Sequence, residues 1–208
     1  LVLVDTAGLR KKARIKENVE FYSTLRTERA LQTCDVAVIL VDGERGLESQ
    51  DARVLREAEA MKKGLVIVVN KWDLVEKETN TARDVERSMR ERLGLLDFVP
   101  VVFASALTGQ RAEKVLDVAL AVFDERRKRV PTARLNEVVE AAVRRQPPPS
   151  FRGSYVKINY ASQVRDEPPV FAFFCNHPEG VKESYRRYLE NRIREAFGFE
   201  GVPLTLSF

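Results

Sequence analysis

Asn70, Lys71 and Asp73 stand at the end of a β-branched apolar run, VVNKWDLV at 68–75. A buried strand has no structural need for three polar side chains at its carboxyl end. Two other apolar runs end in a similar way. LVLV (1–4) runs into Asp5-Thr6-Ala7-Gly8, and VPVVFA (99–104) runs into Ser105-Ala106. In open parallel sheets, ligands sit outside the carboxyl ends of the strands. An ionised Asp73 accepts hydrogen bonds and donates none, so it selects a ligand edge that presents donors. Gly8 has no Cβ, so its backbone can approach a phosphate closely. Each motif alone also reads as something plainer: an Asx turn, a helix-capping loop, or an ordinary loop. Three of them at three strand ends are hard to obtain by chance.

The elements that must position these residues follow from periodicity. LVLV (1–4), VAVILV (36–41), LVIVVN (65–70) and VPVVFA (99–104) are apolar at nearly every position, as strands buried on both faces must be. Helical patterns lie between them, over about 22–33, 50–62, 80–93 and 111–128. The second is expected to start at Ser49 as N-cap and to stop at Gly64. Strand, helix, strand in this order implies βαβ crossovers and a parallel sheet with helices on both faces. Beyond Pro131 the rhythm changes to helix (134–145), a QPPPSFRG break, strands at 155–164 and 169–176, a helix at 182–197, and a last strand within 202–208. That is an α+β pattern, and it puts a domain boundary near 130.

Composition sets limits. The chain has 208 residues, 44% hydrophobic and 32% charged, which fits a globular fold. No apolar run approaches a membrane span, and the opening residues carry no basic leader or cleavage pattern, so no membrane association or signal peptide is expected. Cys34 and Cys175 lack CxxC partners and read as reduced, partly buried thiols, which suits a cytoplasmic protein. The net charge is +4, and lysine and arginine cluster at 10–16, 125–130 and 185–194. Such runs suit a polyanionic partner, or else solvated helix faces carrying i,i+4 pairs.

DTAG, NKWD and SA in this order and spacing resemble the motifs of a guanine-nucleotide-binding G domain. DTAGLRKKARI followed by ENVEFYSTLRTERAL is similar to the second G domain of the Der (EngA) family, bacterial GTPases with two tandem G domains and a C-terminal KH-like domain. PVFAFFCN and FEGVPLTLSF resemble that last domain, and the resemblance covers essentially the whole chain. It implies an α/β, P-loop-NTPase-like G domain over 1–130, lacking its N-terminal strand and phosphate loop, then a smaller α+β KH-like domain over 131–208. It implies GTP and GDP as ligands with Mg²⁺, GTP hydrolysis stimulated by K⁺, and a role in assembly of the large ribosomal subunit. The partners implied are that subunit or its precursor, ribosomal RNA, and an upstream G domain of the same protein.

The resemblance also implies roles. Asp73 would accept hydrogen bonds from the two donors of the guanine edge. Lys71 would lay its aliphatic stem across the base, and Asn70 would pin the loop. The Ala106 N–H would face the guanine carbonyl, with Ser105 supporting its loop. Asp5 would reach Mg²⁺ through a water, and Gly8 would offer its N–H to the terminal phosphate, in the turn shared with Thr6 and Ala7. The chemistry is sound in its own right. Adenine presents the wrong pattern to a carboxylate, and charge-assisted bonds contribute roughly 1.5–3 kcal/mol each, so discrimination on the order of 10³-fold follows.

Three features depart from the family pattern. No G-x-x-x-x-G-K-S/T occurs, so no phosphate-cradling loop is present. In the family the strand leading into that loop lies between those assigned here to 1–4 and 36–41, so these two are expected not to pair directly, and an upstream segment is expected to supply strand and loop. Leu9 stands where many G proteins place a water-orienting glutamine, so no catalytic base is assigned. Gly198-Phe199-Glu200-Gly201 follows a long helix and reads as a C-cap and turn, not as the GxxG clamp of a KH module. Two rival readings follow: a guanine-nucleotide-sensing scaffold that does not hydrolyse, and an RNA-binding module.

Overall fold

Three apolar runs form a parallel sheet in the order β1 (Val36–Asp42), β2 (Gly64–Asn70), β3 (Val101–Phe103). The computed structural model describes residues 2–4, 28–76, 78–94 and 96–208, and the chain divides into two units, Leu1–Phe123 and Asp124–Phe208. In the first unit β2 is central. Val36 pairs with Gly64 and Asp42 with Asn70 on one side, and Ile67 pairs with Val101 on the other. Six of its seven residues are buried, which is why both faces read as apolar.

The two faces take different helices. Leu65, Ile67 and Val69 share a core with Leu55 and Ala58 of α1 (Ser49–Ala60) and with Met89 and Leu93 of α2 (Thr81–Leu93). Val66 and Val68 are buried on the opposite face, as is Val122 of α3 (Ala112–Arg126). A Cβ on Gly64 would come within 2.8 Å of Val122 Cγ1, so α3 lies directly over the start of β2. Burying each of the fully enclosed leucines contributes about 1.5–3 kcal/mol.

Three local expectations are corrected. Glu48, not Ser49, is the N-cap of α1, and Asp51 Oδ2 accepts the Glu48 N–H at 3.0 Å. A carboxylate three residues into a helix satisfies this donor and suits the positive end of the helix dipole. Gly64 does not end α1. The helix stops at Ala60, Lys62 takes the left-handed turn (φ 57°), and Gly64 opens β2, where packing against Val122 and Val36 leaves no room for a side chain. Residues 2–4 form no strand: Val2 and Leu3 are 88% and 82% exposed. Strand propensity needs a partner ladder, and no described strand pairs with them; they do not pair with β1.

In the second unit β4 (Ile158–Arg165) pairs antiparallel with β5 (Val170–Cys175), which pairs parallel with β6 (Thr205–Ser207). Leu135, Val139 and Ala142 of α4 (Thr132–Arg145) and Tyr185, Leu189 and Ile193 of α5 (Glu183–Phe197) are buried, as are Ala161, Phe171 and Phe173 of the sheet. Asn136 joins helix to sheet, because its side chain both donates to the Ala161 carbonyl and accepts the Ala161 N–H, each at 2.8 Å. The Gly198–Gly201 segment is a C-cap and turn. Gly198 takes φ 89° with its N–H on the Arg194 carbonyl, and Phe199 is wholly buried, edge-on to Phe171.

The described basic runs are largely paired within the chain. Arg126 binds Glu167, Lys128 binds Glu125 and Arg129 binds Asp166. On α5, Arg187 pairs with Glu183, Arg192 with Glu195 and Arg194 with Glu190, while Arg186 stacks on Phe208. Neither Cys34 nor Cys175 is in a disulfide, and burial pushes the Cys175 thiol up from its usual value.

Candidate functional site

The carboxyl ends of β1, β2 and β3 lie side by side, and the register decides what meets there. Asn70, last residue of β2, is in register with Asp42, last residue of β1. Its carbonyl accepts the Gly43 N–H at 2.8 Å, and its side-chain oxygen accepts the Ala106 N–H at 2.9 Å. Asn70 therefore ties the exits of all three strands together.

The chain then turns tightly. Lys71 adopts φ 60°, a left-handed conformation uncommon for a residue with a Cβ. Its ammonium lies 2.8 Å from Asp42 Oδ2. Trp72 is buried, packs on Phe103 at 4.5 Å between ring centroids, and donates its backbone N–H to the Ala104 carbonyl at 3.1 Å. The indole thus anchors the loop from below. Leu74 N–H closes the turn onto the Lys71 carbonyl. Asp73 Oδ1 is shielded from solvent and has no hydrogen-bond partner. Asp73 itself is half-buried, so this one shielded oxygen is a candidate acceptor for a ligand donor.

Ser105 is fully buried, its Oγ accepts the Thr108 N–H and its own N–H donates to the Gln110 carbonyl. That is how its loop is held. Because Asn70 and Trp72 are bonded to Ala106 and Ala104, the loop carrying Asp73 runs beside the Ser105-Ala106 turn. One detail differs from expectation. The Ala106 N–H is already taken by Asn70, so a ligand carbonyl would have to share it. Asp5, Thr6, Ala7 and Gly8, together with Leu9 and the basic run 10–16, lie outside the described residues. Asp5, the residue expected near Mg²⁺, is among them. Among the described residues no group of three or more His, Cys, Asp or Glu could hold a metal ion.

Asp42 and Gly43 stand at a further strand end of the same kind. The rule that singled out Asn70 applies to them equally, since VAVILVDG also ends an apolar strand in a buried carboxylate.

Residues 18–125, just over half of the chain, match the elongation factor Tu GTP-binding domain. Residues 129–208 match the KH-domain-like module found at the C-terminus of EngA bacterial GTPases. GTPase Der of Chloroherpeton thalassium is 48% identical over 100% of this chain and 48% of its own length. The chain belongs to the Der (EngA) family. GTPase Der of Christiangramia forsetii is 45% identical over 99% of the chain and 48% of its own length. The chain thus spans about half the length of the Der relatives it matches. Among solved structures, Era of Aquifex aeolicus bound to GDP·AlF4⁻ aligns over 98% of this chain and 73% of its own at 18% identity, with a TM-score of 0.48. The Der family fits the fold seen here, a parallel α/β sheet followed by an α+β unit.

Proposed function

We propose that this segment carries the base-recognition half of a guanine-nucleotide site in a GTPase. The observation that supports it most directly is Asp73 Oδ1, solvent-shielded and unpartnered, in a loop held against Ser105-Ala106 by Asn70 and Trp72. Guanine offers two adjacent donors and satisfies it; adenine does not. Lys71 packs its stem on the base, Asn70 and Ser105 hold the loops, and the Ala106 N–H is shared with the guanine carbonyl. Asp5-Thr6-Ala7-Gly8 serves the phosphate side, with Asp5 reaching Mg²⁺ through a water and the phosphate loop supplied by a segment outside these 208 residues, alongside a further G domain. The G domain occupies 1–130 and the KH-like domain 131–208. The whole protein binds and hydrolyses GTP with Mg²⁺ and K⁺, acts in the cytoplasm, and serves large-subunit assembly through contact with ribosomal RNA. No described helix is long and apolar enough to cross a membrane.

Leu9, in the position of a water-orienting glutamine, keeps a second reading in view: a guanine-nucleotide-sensing scaffold with negligible hydrolysis. Equilibrium titration of the full-length protein with GDP, GTP and ATP tests the base site. Tight binding of the guanine nucleotides alone supports it, and equal binding of ATP overturns it. Single-turnover hydrolysis with and without K⁺ separates enzyme from scaffold.

A further inference from the structure

We propose that Asp42 is a positioning residue for the base site. It holds the Lys71 ammonium at the exit of β1, so that Lys71 offers the purine its methylene stem and not its charge. This rests on the reading of Asp73 as the guanine acceptor and adds a residue that lies outside the motif.

The geometry is specific. Asp42 ends β1 in register with Asn70, and its side chain is only 3% exposed. Oδ2 lies 2.8 Å from Lys71 Nζ, Oδ1 accepts the Glu44 N–H at 3.1 Å, and the Asp42 carbonyl accepts the Gly46 N–H at 2.8 Å. The carboxylate is therefore fixed in orientation before any ligand arrives. A buried carboxylate needs a counter-charge, and Lys71 supplies it.

The left-handed backbone of Lys71 (φ 60°) lets its ammonium reach β1 while Trp72, the next residue, packs under the loop. The lysine side chain itself is 49% exposed. Left alone, a side chain with four rotatable bonds would sample many rotamers and would lose that freedom on binding. Pinned at Nζ, it has lost much of it already. Its charge is matched by Asp42, so what remains for a ligand is the apolar face of the stem. Such a face packs on any purine and tells none apart. Asp42 thus governs affinity, and Asp73 governs which base is read.

Asp42→Asn separates these roles, because the amide keeps an acceptor for the Glu44 N–H and loses the charge that holds Nζ. Affinities of the full-length protein for GDP, IDP (which lacks the guanine 2-amino group) and ADP are measured for the parent, Asp42→Asn, Asp42→Glu, Lys71→Met and the Asp42→Asn/Lys71→Met pair. The expected result is a roughly fivefold to tenfold loss for both GDP and IDP in Asp42→Asn, with their ratio unchanged. Asp42→Glu keeps the charge and recovers part of the loss. In the Lys71→Met background Asp42→Asn adds less than about twofold, because the two substitutions remove one interaction.

The proposal is overturned if Asp42→Asn binds GDP within about twofold of the parent, or if its loss and that of Lys71→Met simply multiply. It is overturned equally if Asp42→Asn changes the GDP-to-IDP ratio, since the residue would then act on Asp73. Should the parent protein bind ADP as well as GDP, the base-site reading itself fails. That outcome is seen in the parent alone and cannot be confused with the others. A fold defect in Asp42→Asn shows as a lowered Tm without nucleotide, and the Asp42→Glu arm then decides: partial recovery supports the proposal, none overturns it.

Discussion

The side-chain oxygen of Asn70 accepts the backbone N–H of Ala106 at 2.9 Å, across 36 residues of sequence. This bond joins the exit of β2 to the exit of β3 and sets the loop that carries Asp73 against the Ser105-Ala106 turn. Asn70→Ala removes it, and because Ala106 is exposed its N–H turns to water, at a cost of about 0.5–1.5 kcal/mol. The expected outcome is a nucleotide affinity lowered roughly tenfold or more, with a lower Tm in the absence of nucleotide. Isothermal titration with GDP and a thermal melt check both halves.

Asp73→Asn replaces one acceptor oxygen with a donor. Guanine then meets a donor facing a donor, while the xanthine edge, with a carbonyl in place of the 2-amino group, finds its match. GDP affinity should fall on the order of 10²- to 10³-fold, and XDP should gain relative to it. Because Asp73 Oδ1 is shielded and unpartnered, the same substitution should leave the nucleotide-free protein as stable as before, or slightly more so. A melt without ligand, beside competition binding with XDP, reports the two effects separately.

Gly43 follows the buried end of β1, and a Cβ there would lie 3.0 Å from both the Asn70 carbonyl oxygen and Val75 Cγ2. Backbone and a β-branched side chain yield little. Gly43→Ala should therefore push β1 and the Asn70 loop apart, destabilising the fold by roughly 1–3 kcal/mol. Nucleotide affinity should fall along with stability, because the displaced atom belongs to Asn70. Urea unfolding monitored through Trp72, the single tryptophan and a buried neighbour of the loop, is the direct readout.

In the second unit Tyr185 donates its hydroxyl to the Gln146 carbonyl at 2.7 Å. Burial, with the neighbouring Tyr188 adding to it, pushes its pKa up to about 12 from 10.0. A raised pKa means the folded state favours the neutral phenol. The stabilisation is full below pH 10 and is lost as pH rises from about 10 to about 12. Tyr185→Phe should flatten that part of the stability profile. Denaturant titrations at pH 9, 10.5 and 11.5 would show it, and an unchanged alkaline slope would count against the cause given.

Asn136 anchors α4 to β4 through two 2.8 Å bonds to the Ala161 backbone. Asn136→Ala leaves a buried N–H and carbonyl unpaired, and about 2–4 kcal/mol of stability should go with them. Nucleotide binding should hardly change. Paired melts and GDP titrations of this variant give the contrast to Gly43→Ala.

How much of this was legible in the amino-acid order depends on the range of the interaction. Strands at 36–42, 64–70 and 101–103 follow from β-branched runs, and α2 follows from a periodic run ending at Gly94, because these signals are local. Residues 2–4 look equally strand-like and are not a strand, since a ladder needs a partner that propensity does not supply. Gly64 looks like a helix stop and is a packing glycine, since the atoms that exclude a Cβ belong to Val122, 58 positions away, and to Val36 on the neighbouring strand.

The order of residues alone determined that polar groups follow apolar runs and that Asp73 is an acceptor, while the grouping of DTAG, NKWD and SA as a guanine-nucleotide pattern is what the resemblance to a G domain implies. Only the tertiary structure decided that Lys71 is matched by Asp42, that the Ala106 N–H is held by Asn70, and that the arginines of α5 are spent on neighbouring carboxylates and rings. The reason is physical. Side-chain type sets what a group can bond to, but Asp42, Asn70 and Ala106 meet only because three strands lie in the order β1, β2, β3 in one register.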